Sequence, residues 1–107
     1  MEITQYQIVL VNLDPTIGSE IKKTRPCVVI SPDEMNKYLQ TIVIAPMTSS
    51  SKPYPTRVAV KHKKTKGWIV IDQVRTVDRQ RIIKVFQSLT EKEIFIVKAV
   101  LKETFVD

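Results

Sequence analysis

The feature that most constrains the fold of this chain is a series of short apolar segments, rich in Val and Ile, that are separated by polar turns. Segments of this length and composition are typical of β-strands rather than helices. Residues 56–62 alternate along the chain, with Val58 and Val60 on one side, which predicts a half-exposed strand. The run at 41–46 is almost continuously apolar and predicts a strand buried on both faces. The predicted strands are residues 6–13, 26–31, 41–46, 56–62, 68–71 and 82–89.

One long helix is expected at the end of the chain, over residues 91–103. It begins with a capping box, in which the Thr90 hydroxyl accepts from the Glu93 amide and the Glu93 side chain reaches back. Five or six short strands and one terminal helix predict a mainly β fold, a small and strongly bent antiparallel barrel. The apolar residues of the helix are too widely spread for one core-facing stripe. We expect the second face to pack on another subunit or to be enclosed by its own domain.

Size and composition favour a single domain that binds a polyanion. The chain has 107 residues, with 17 Lys and Arg against 11 Asp and Glu, giving a net charge of +6. One Cys and one His exclude a disulfide framework and a Cys/His metal cluster, so no metal or other cofactor is expected. With only two glycines, Gly18 and Gly67, a glycine-rich phosphate loop is also excluded.

Cellular location follows from similar reasoning. Cys27 lies in an apolar run and is expected to be a buried, reduced side chain, as in the cytoplasm. The N-terminus lacks a signal-peptide pattern, and no apolar run approaches the roughly 20 residues that span a bilayer. The sequence therefore predicts a cytoplasmic protein without a membrane partner.

The loop at residues 14–26 (DPTIGSEIKKTRP) is longer than a connection between adjacent strands needs. Long loops on a rigid sheet often carry binding groups. Lys22, Lys23 and Arg25 are able to meet phosphate oxygens, and the arginine can do so with two parallel hydrogen bonds. The loop therefore indicates a phosphate-bearing partner.

Three blocks of sequence, in this order and separation, give the chain a resemblance to the MazF/PemK family of toxins from toxin–antitoxin pairs. They are residues 11–20 (VNLDPTIGSE) with 24–26 (TRP), residues 45–49 (APMTS) and residues 72–78 (DQVRTVD). The resemblance runs over nearly the whole chain, from about residue 7 to the last helix. It implies one toxin domain over residues 1–107, with an SH3-like barrel, a C-terminal helix and a homodimer. It also implies a metal-independent endoribonuclease that cuts single-stranded RNA at short motifs and is inhibited by a cognate antitoxin.

Metal-free RNA cleavage uses the ribose 2′-hydroxyl as the nucleophile and leaves a 2′,3′-cyclic phosphate and a 5′-hydroxyl. The site must deprotonate that hydroxyl, neutralise the phosphorane and protonate the leaving oxygen. Arg25 is the expected phosphate clamp, unless it anchors its loop to a carboxylate such as Glu20. Thr48 is expected to hold the scissile phosphate or relay a proton, unless it is a turn threonine that bonds its own backbone.

The general base stays open at the sequence level. Some family members have a basic residue paired with the acid of the third block, and some have a histidine in the first loop. Here Val70 and Ser19 stand at those positions, so Asp72 and Glu20 remain as candidate bases. Asp72 has the alternative of a salt bridge to Arg75 or a strand-end cap.

RNA binding is expected to involve further residues around the same groove. Lysines would contact phosphates, polar side chains would read base edges, and Tyr54 or Trp68 would stack on bases, although core packing suits Trp68 better. Two other functions remain: a non-enzymatic poison like the CcdB gyrase-binding toxins, and a nucleic-acid-binding module of the same barrel class. The predicted RNA-binding residues are Ser19, Glu20, Lys22, Lys23, Ser49, Lys52, Asp72, Gln73 and Arg75.

Overall fold

The computed structural model describes residues 2–14, 17–20, 23–50, 52–62 and 65–106. Within these residues the chain forms seven strands and two α-helices, with 3-10 turns at Ile71–Gln73 and Arg79–Arg81. The strands are β1 (Gln7–Asn12), β2 (Thr24–Val29), β3 (Thr41–Thr48), β4 (Arg57–His62), β5 (Thr65–Val70), β6 (Arg75–Asp78) and β7 (Ile82–Ser88). The helices are α1 (Asp33–Tyr38) and α2 (Glu91–Phe105).

All strand pairs are antiparallel, and the strands follow the order β4-β5-β3-β2-β1-β7, with β6 pairing with β3. The first half of β3 pairs with β6 and its last two residues pair with β5, so β3 is shared between two parts of the sheet. Two register shifts interrupt the pairing of β1 with β7, and such irregularities bend a sheet. The described strands therefore form a bent, barrel-like sheet, as predicted, although β4, β6 and β7 each pair on one side only.

Two apolar clusters lie on opposite faces of the central strands. One contains Val9, Cys27 and Ile44, and the other contains Ile8, Val28 and Ala45. Because neighbouring residues of β1, β2 and β3 enter different clusters, these strands are buried on both faces, as the apolar run of β3 predicts.

Helix α2 starts at the predicted capping box: the Glu93 amide donates to Thr90 Oγ1 at 3.2 Å, and the Thr90 amide donates to Glu93 Oε1 at 2.9 Å. Val97 is fully buried in the second cluster. On the outer side, Phe95 is 74% exposed and Phe105 is 58% exposed. Helix α2 thus packs one face on the sheet, and its outer side carries exposed aromatic residues among charged ones such as Lys98 and Lys102. No helix in the described part of the chain is long and apolar enough to cross a membrane.

The prediction of five or six strands was wrong, because the described residues form seven. The additional strand is β6, which lies within the third block of the family resemblance, residues 72–78, where no strand was predicted. Among its four residues only Val77 is buried, so the strand carries almost no hydrophobic pattern. It forms because Thr41–Ile44 of β3 offers it a pairing edge.

Candidate active site

Arg25 and Thr48 lie at the same end of two neighbouring strands. Arg25 is the second residue of β2, and Thr48 is the last residue of β3. The observed pairing of these strands ends with Cys27 opposite Pro46, two residues before Arg25 and Thr48. Beyond that point Arg25 pairs with Val11 of β1 and Thr48 pairs with Trp68 of β5. The strand order therefore brings both predicted catalytic residues to the same end of the sheet.

A cleft of about 220 Å³ adjoins this strand end. Pro46, two residues before Thr48 on the same strand, forms part of its wall. The lining includes four of the predicted site residues: Glu20, Asp72, Gln73 and Arg75. A larger cavity of about 610 Å³ lies beside α1, at the other end of β2 and β3, and its lining contains none of the predicted site residues.

Asp72 is held by Arg57 and Thr56. The Arg57 Nε lies 3.1 Å from Asp72 Oδ1, the Nη2 lies 3.4 Å from Oδ2, and the Thr56 hydroxyl donates to Oδ1 at 2.8 Å. Partial burial acts to raise the pKa of Asp72, but the hydrogen bonds from Arg57 and Thr56 outweigh it and the pKa is lowered. A carboxylate with this pKa and these partners is a weak proton acceptor.

Asp72 therefore forms a salt bridge, but the predicted partner, Arg75, was wrong, because the partner is Arg57. Arg57 begins β4 and pairs with Val70 of β5, which brings its guanidinium beside the 3-10 turn that carries Asp72. Arg75 instead donates from Nη1 to the carbonyl of Leu13 at 3.3 Å. Arg57 was not among the predicted site residues, because the alternation along residues 56–62 sets it on the side opposite Val58 and Val60.

Two arginines, Arg75 at the start of β6 and Arg81 at the end of the 3-10 turn that follows it, hold the end of β1. Besides the bond from Arg75 to Leu13, Arg81 Nη1 donates to the carbonyls of Asn12, at 3.2 Å, and Asp14. Three successive carbonyl groups are thus bound by guanidinium groups. This contact fixes the point where the chain leaves β1 and enters the long loop.

The same loop is closed at its base by Lys23. The Leu13 amide donates to the Lys23 carbonyl at 3.0 Å, and the Lys23 amide donates to Asp14 Oδ1 at 3.0 Å. Lys23 has a φ of 68°, in the left-handed region. Within the loop, Glu20 Oε1 accepts the Ile17 amide at 2.5 Å while Glu20 lines the cleft.

Thr48 bonds its own backbone, as the alternative for this residue predicts. Its Oγ1 donates to the Ser50 carbonyl at 3.2 Å and accepts the Ser50 amide at 3.3 Å. Ser49 is exposed next to it. On β5, Trp68 pairs with Thr48 and is half-buried, which agrees with a packing role.

The remaining predicted residues lie on the surface around this region or fall outside the description. Ser19, Lys23 and Lys52 are exposed, and Gln73 is half-buried. Lys22 lies outside the described residues.

The Cys27 side chain adds no reactive group to this site. Burial raises the pKa of Cys27 to about 12, against the opposing effect of the nearby Arg75 charge, so this thiol is not a nucleophile. In the ranges that the structure describes, no three His, Cys, Asp or Glu side chains gather in a way that could hold a metal ion.

Comparison with known proteins gives consistent relatives. Residues 4–105 match the family described as PemK-like, MazF-like toxin of type II toxin–antitoxin system. The chain is 33% identical over 97 residues to the endoribonuclease MazF of Staphylococcus epidermidis, which covers 85% of this chain and 81% of that protein.

Solved structures confirm the predicted fold class. The crystal structure of MazF from Deinococcus radiodurans is similar with a TM-score of 0.85 and 25% identity, and the match covers 96% of both chains. A mycobacterial endoribonuclease in complex with its cognate antitoxin has a TM-score of 0.80 at 16% identity, over 94% of this chain and 92% of that one. At that identity the likeness concerns the fold alone.

Proposed function

The chain belongs to the PemK-like, MazF-like toxin family of type II toxin–antitoxin systems, and on this premise we propose that it is an endoribonuclease toxin that cleaves single-stranded mRNA at a sequence motif. The observation that supports the proposal is the antiparallel arrangement of β2 and β3, in which Arg25 near the start of one strand and Thr48 at the end of the other lie at the same end as the cleft wall at Pro46. A relative with one-third identity is named an endoribonuclease, which supports the same class of reaction.

The reaction we propose is transesterification by the substrate itself. The ribose 2′-oxygen attacks the adjacent phosphorus, the new O2′–P bond forms and the P–O5′ bond breaks. The products are a 2′,3′-cyclic phosphate and a 5′-hydroxyl, and this route requires no metal ion. Arg25 holds the non-bridging oxygens as negative charge grows on them in the transition state. DNA lacks the 2′-hydroxyl and is not cut.

The proton of the 2′-hydroxyl goes to Glu20 in this proposal. Asp72 is disfavoured because Arg57 and Thr56 engage both of its oxygens and its pKa is lowered. Thr48 exchanges its backbone bonds with Ser50 for a phosphate oxygen, gives its hydroxyl proton to the leaving 5′-oxygen and regains a proton from solvent water.

Recognition of the RNA uses the rim and the wall of the cleft. Lys23 and Lys52, both exposed, neutralise neighbouring phosphates, as does Lys22. Ser19 and Ser49 donate to phosphate or sugar oxygens. Gln73 and Arg75, in the cleft wall, bond to the edges of unstacked bases.

Two protein partners complete the proposal. The outer side of α2, on which Phe95, Ile96 and Phe105 are exposed, packs against a second copy to form a homodimer. A cognate antitoxin lays an acidic segment over the cations of the RNA groove and competes with RNA for them. The similar mycobacterial endoribonuclease has a solved structure in complex with its cognate antitoxin.

The test is to incubate the purified protein with a long RNA in EDTA and to map the new ends. We expect 5′-hydroxyl ends at a recurring motif. Arg25→Ala should keep its fold and lose cleavage by about 100-fold or more, because one preorganised contact to the developing charge is lost. Arg79→Ala is the matched control, since this arginine lines the larger cavity at the other end of the sheet.

Two results would contradict the proposal. Cleavage by Arg25→Ala at the wild-type rate would remove the phosphate clamp. Intact RNA with the wild-type protein would favour a gyrase-poison-like toxin or a plain nucleic-acid-binding module.

A further inference from the structure

Tyr54, an exposed residue between β3 and β4, places its ring against the side chain of Arg57, the first residue of β4. The Arg57 guanidinium carbon lies 5.2 Å from the centre of the Tyr54 ring, within the range of a cation–π contact. Tyr54 is nevertheless 49% exposed. The backbone around it is held as a turn, because the Arg57 amide donates to the Tyr54 carbonyl at 3.0 Å and the Tyr54 amide donates to the Lys52 carbonyl at 2.8 Å.

The arginine under this ring is itself fixed from the cleft. Asp72, which lines the cleft, binds its Nε at 3.1 Å and its Nη2 at 3.4 Å. The Arg57 side chain is only 19% exposed. Tyr54, Arg57 and Asp72, here called the Tyr54 stack, thus connect the cleft wall to an open aromatic ring at the surface.

We propose that the Tyr54 stack is a binding subsite for one unpaired nucleobase of the RNA that runs through the cleft. This inference rests on the proposed function. Single-stranded RNA is recognised through unstacked bases that lie on aromatic side chains, and every base offers a π-face for this contact. The guanidinium supports one face of the ring, and the base stacks on the exposed side.

The ion pair between Asp72 and Arg57 preorganises the Tyr54 stack. Because Asp72 holds Arg57 and Arg57 holds the ring, the side chains are ordered before RNA arrives, and little rotamer entropy is lost on binding. The same pair largely neutralises the charge of Arg57. The subsite therefore contributes stacking and leaves the attraction of phosphates to other cations.

The chain offers a matched control in Tyr38. This tyrosine is 76% exposed, and the centre of its ring lies 5.8 Å from Lys37 Nζ, so it is also an exposed ring beside a cation. It ends α1 and lines the larger cavity, away from the strand ends that carry Arg25 and Thr48.

The experiment measures binding of a single-stranded oligonucleotide that carries the cleavage motif with a 2′-deoxy sugar at the cut position. Fluorescence anisotropy over a series of salt concentrations gives both affinity and its salt dependence. Tyr54→Ala and Tyr54→Leu should weaken binding about tenfold, within the roughly 5- to 150-fold expected for one stacked base. Tyr54→Phe should stay within about twofold, and Tyr38→Ala should bind like wild type.

The salt dependence separates stacking from phosphate contact. For Tyr54→Ala, the slope of log affinity against log salt should equal that of wild type. For Lys23→Ala, which removes an exposed cation, the slope should fall by about one.

The proposal is overturned if Tyr54→Ala binds no more weakly than Tyr38→Ala, if Tyr54→Leu binds like wild type, or if the salt slope of Tyr54→Ala falls. Failure of the proposed function is distinguishable, because it appears as a wild-type protein that does not cut the all-ribose form of the same oligonucleotide. Cleavage by wild type together with unaltered binding by Tyr54→Ala refutes the subsite alone.

Discussion

The ion pair of Arg57 and Asp72 predicts a measurable loss of stability when its charge is removed by Asp72→Asn. At 3.1 Å two unit charges attract by about 1.3 kcal/mol in a medium like water and about 5 kcal/mol at an effective dielectric of 20. The side chains are 19% and 36% exposed, so solvent screening places the value near the lower limit. Adding the weakened hydrogen bonds, we expect Asp72→Asn to lower the free energy of unfolding by about 1 to 2 kcal/mol at pH 7.

The pH dependence has a definite sign. Burial alone would raise the pKa of Asp72, but the hydrogen bonds from Arg57 and Thr56 lower it below its ordinary value. In the unfolded chain such a carboxyl titrates near pH 3.9. The pair therefore contributes its full stabilisation above about pH 4 to 5 and loses it as the pH falls through the lower pKa of the folded state.

The assay is a double-mutant cycle of Asp72→Asn and Arg57→Met in urea, at neutral and at acid pH. We expect a coupling energy of about 1 kcal/mol at pH 7 that shrinks in acid. Zero coupling at pH 7, or an equal effect of Asp72→Asn at both pH values, would refute the reasoning.

The same variant decides between the two candidate bases. Asp72→Asn should keep cleavage within about tenfold of wild type, whereas Glu20→Gln should lower it about 100-fold or more. The reverse pattern would assign the base to Asp72.

Two further predictions concern contacts that hold the fold. Thr90→Ala removes the cap of α2 and should lower the free energy of unfolding by about 1 kcal/mol, or the Tm by roughly 4 to 8 °C in calorimetry. Thr90→Ser should restore the Tm. An unchanged Tm in the alanine variant would contradict the capping role of Thr90. Arg81→Met removes the guanidinium from the carbonyls at the end of β1 and should lower kcat about tenfold or more, since small displacements near a site are costly. Arg79→Met is its control, and equal kcat values in the two variants would exclude a positioning role for Arg81.

Much of the fold could be predicted because its signals are local. The capping box fixed the start of α2, and the alternation of Val58 and Val60 identified β4 and its buried face. These patterns depend on a few neighbouring residues and survive in any tertiary context. By contrast, β6 has one buried residue, Val77, and owes its conformation to pairing with β3, which no local pattern reports.

The contacts of the site were harder to predict for the same reason. Asp72 and Arg57 are 15 positions apart and meet because β4 pairs with β5. The sequence alone predicts Arg75, three residues away, as the ion-pair partner of Asp72, because only proximity along the chain is visible there. The prediction that Arg25 and Thr48 act together rests on a resemblance of whole blocks, and their position at the same end of β2 and β3 is compatible with it.

The segment around β6, which has little hydrophobic pattern, supplies several contacts that order the cleft and its loop. From residues 71–81, Asp72 fixes the Arg57 guanidinium under Tyr54, while Arg75 and Arg81 hold the chain where it enters the loop to Glu20 and Arg25. Each of these contacts is made within the protein itself. The positive charge of these arginines is therefore used within the protein, to order the cleft and its loop. In the proposed function, RNA would meet side chains whose positions are already set, which lowers the entropy lost on binding.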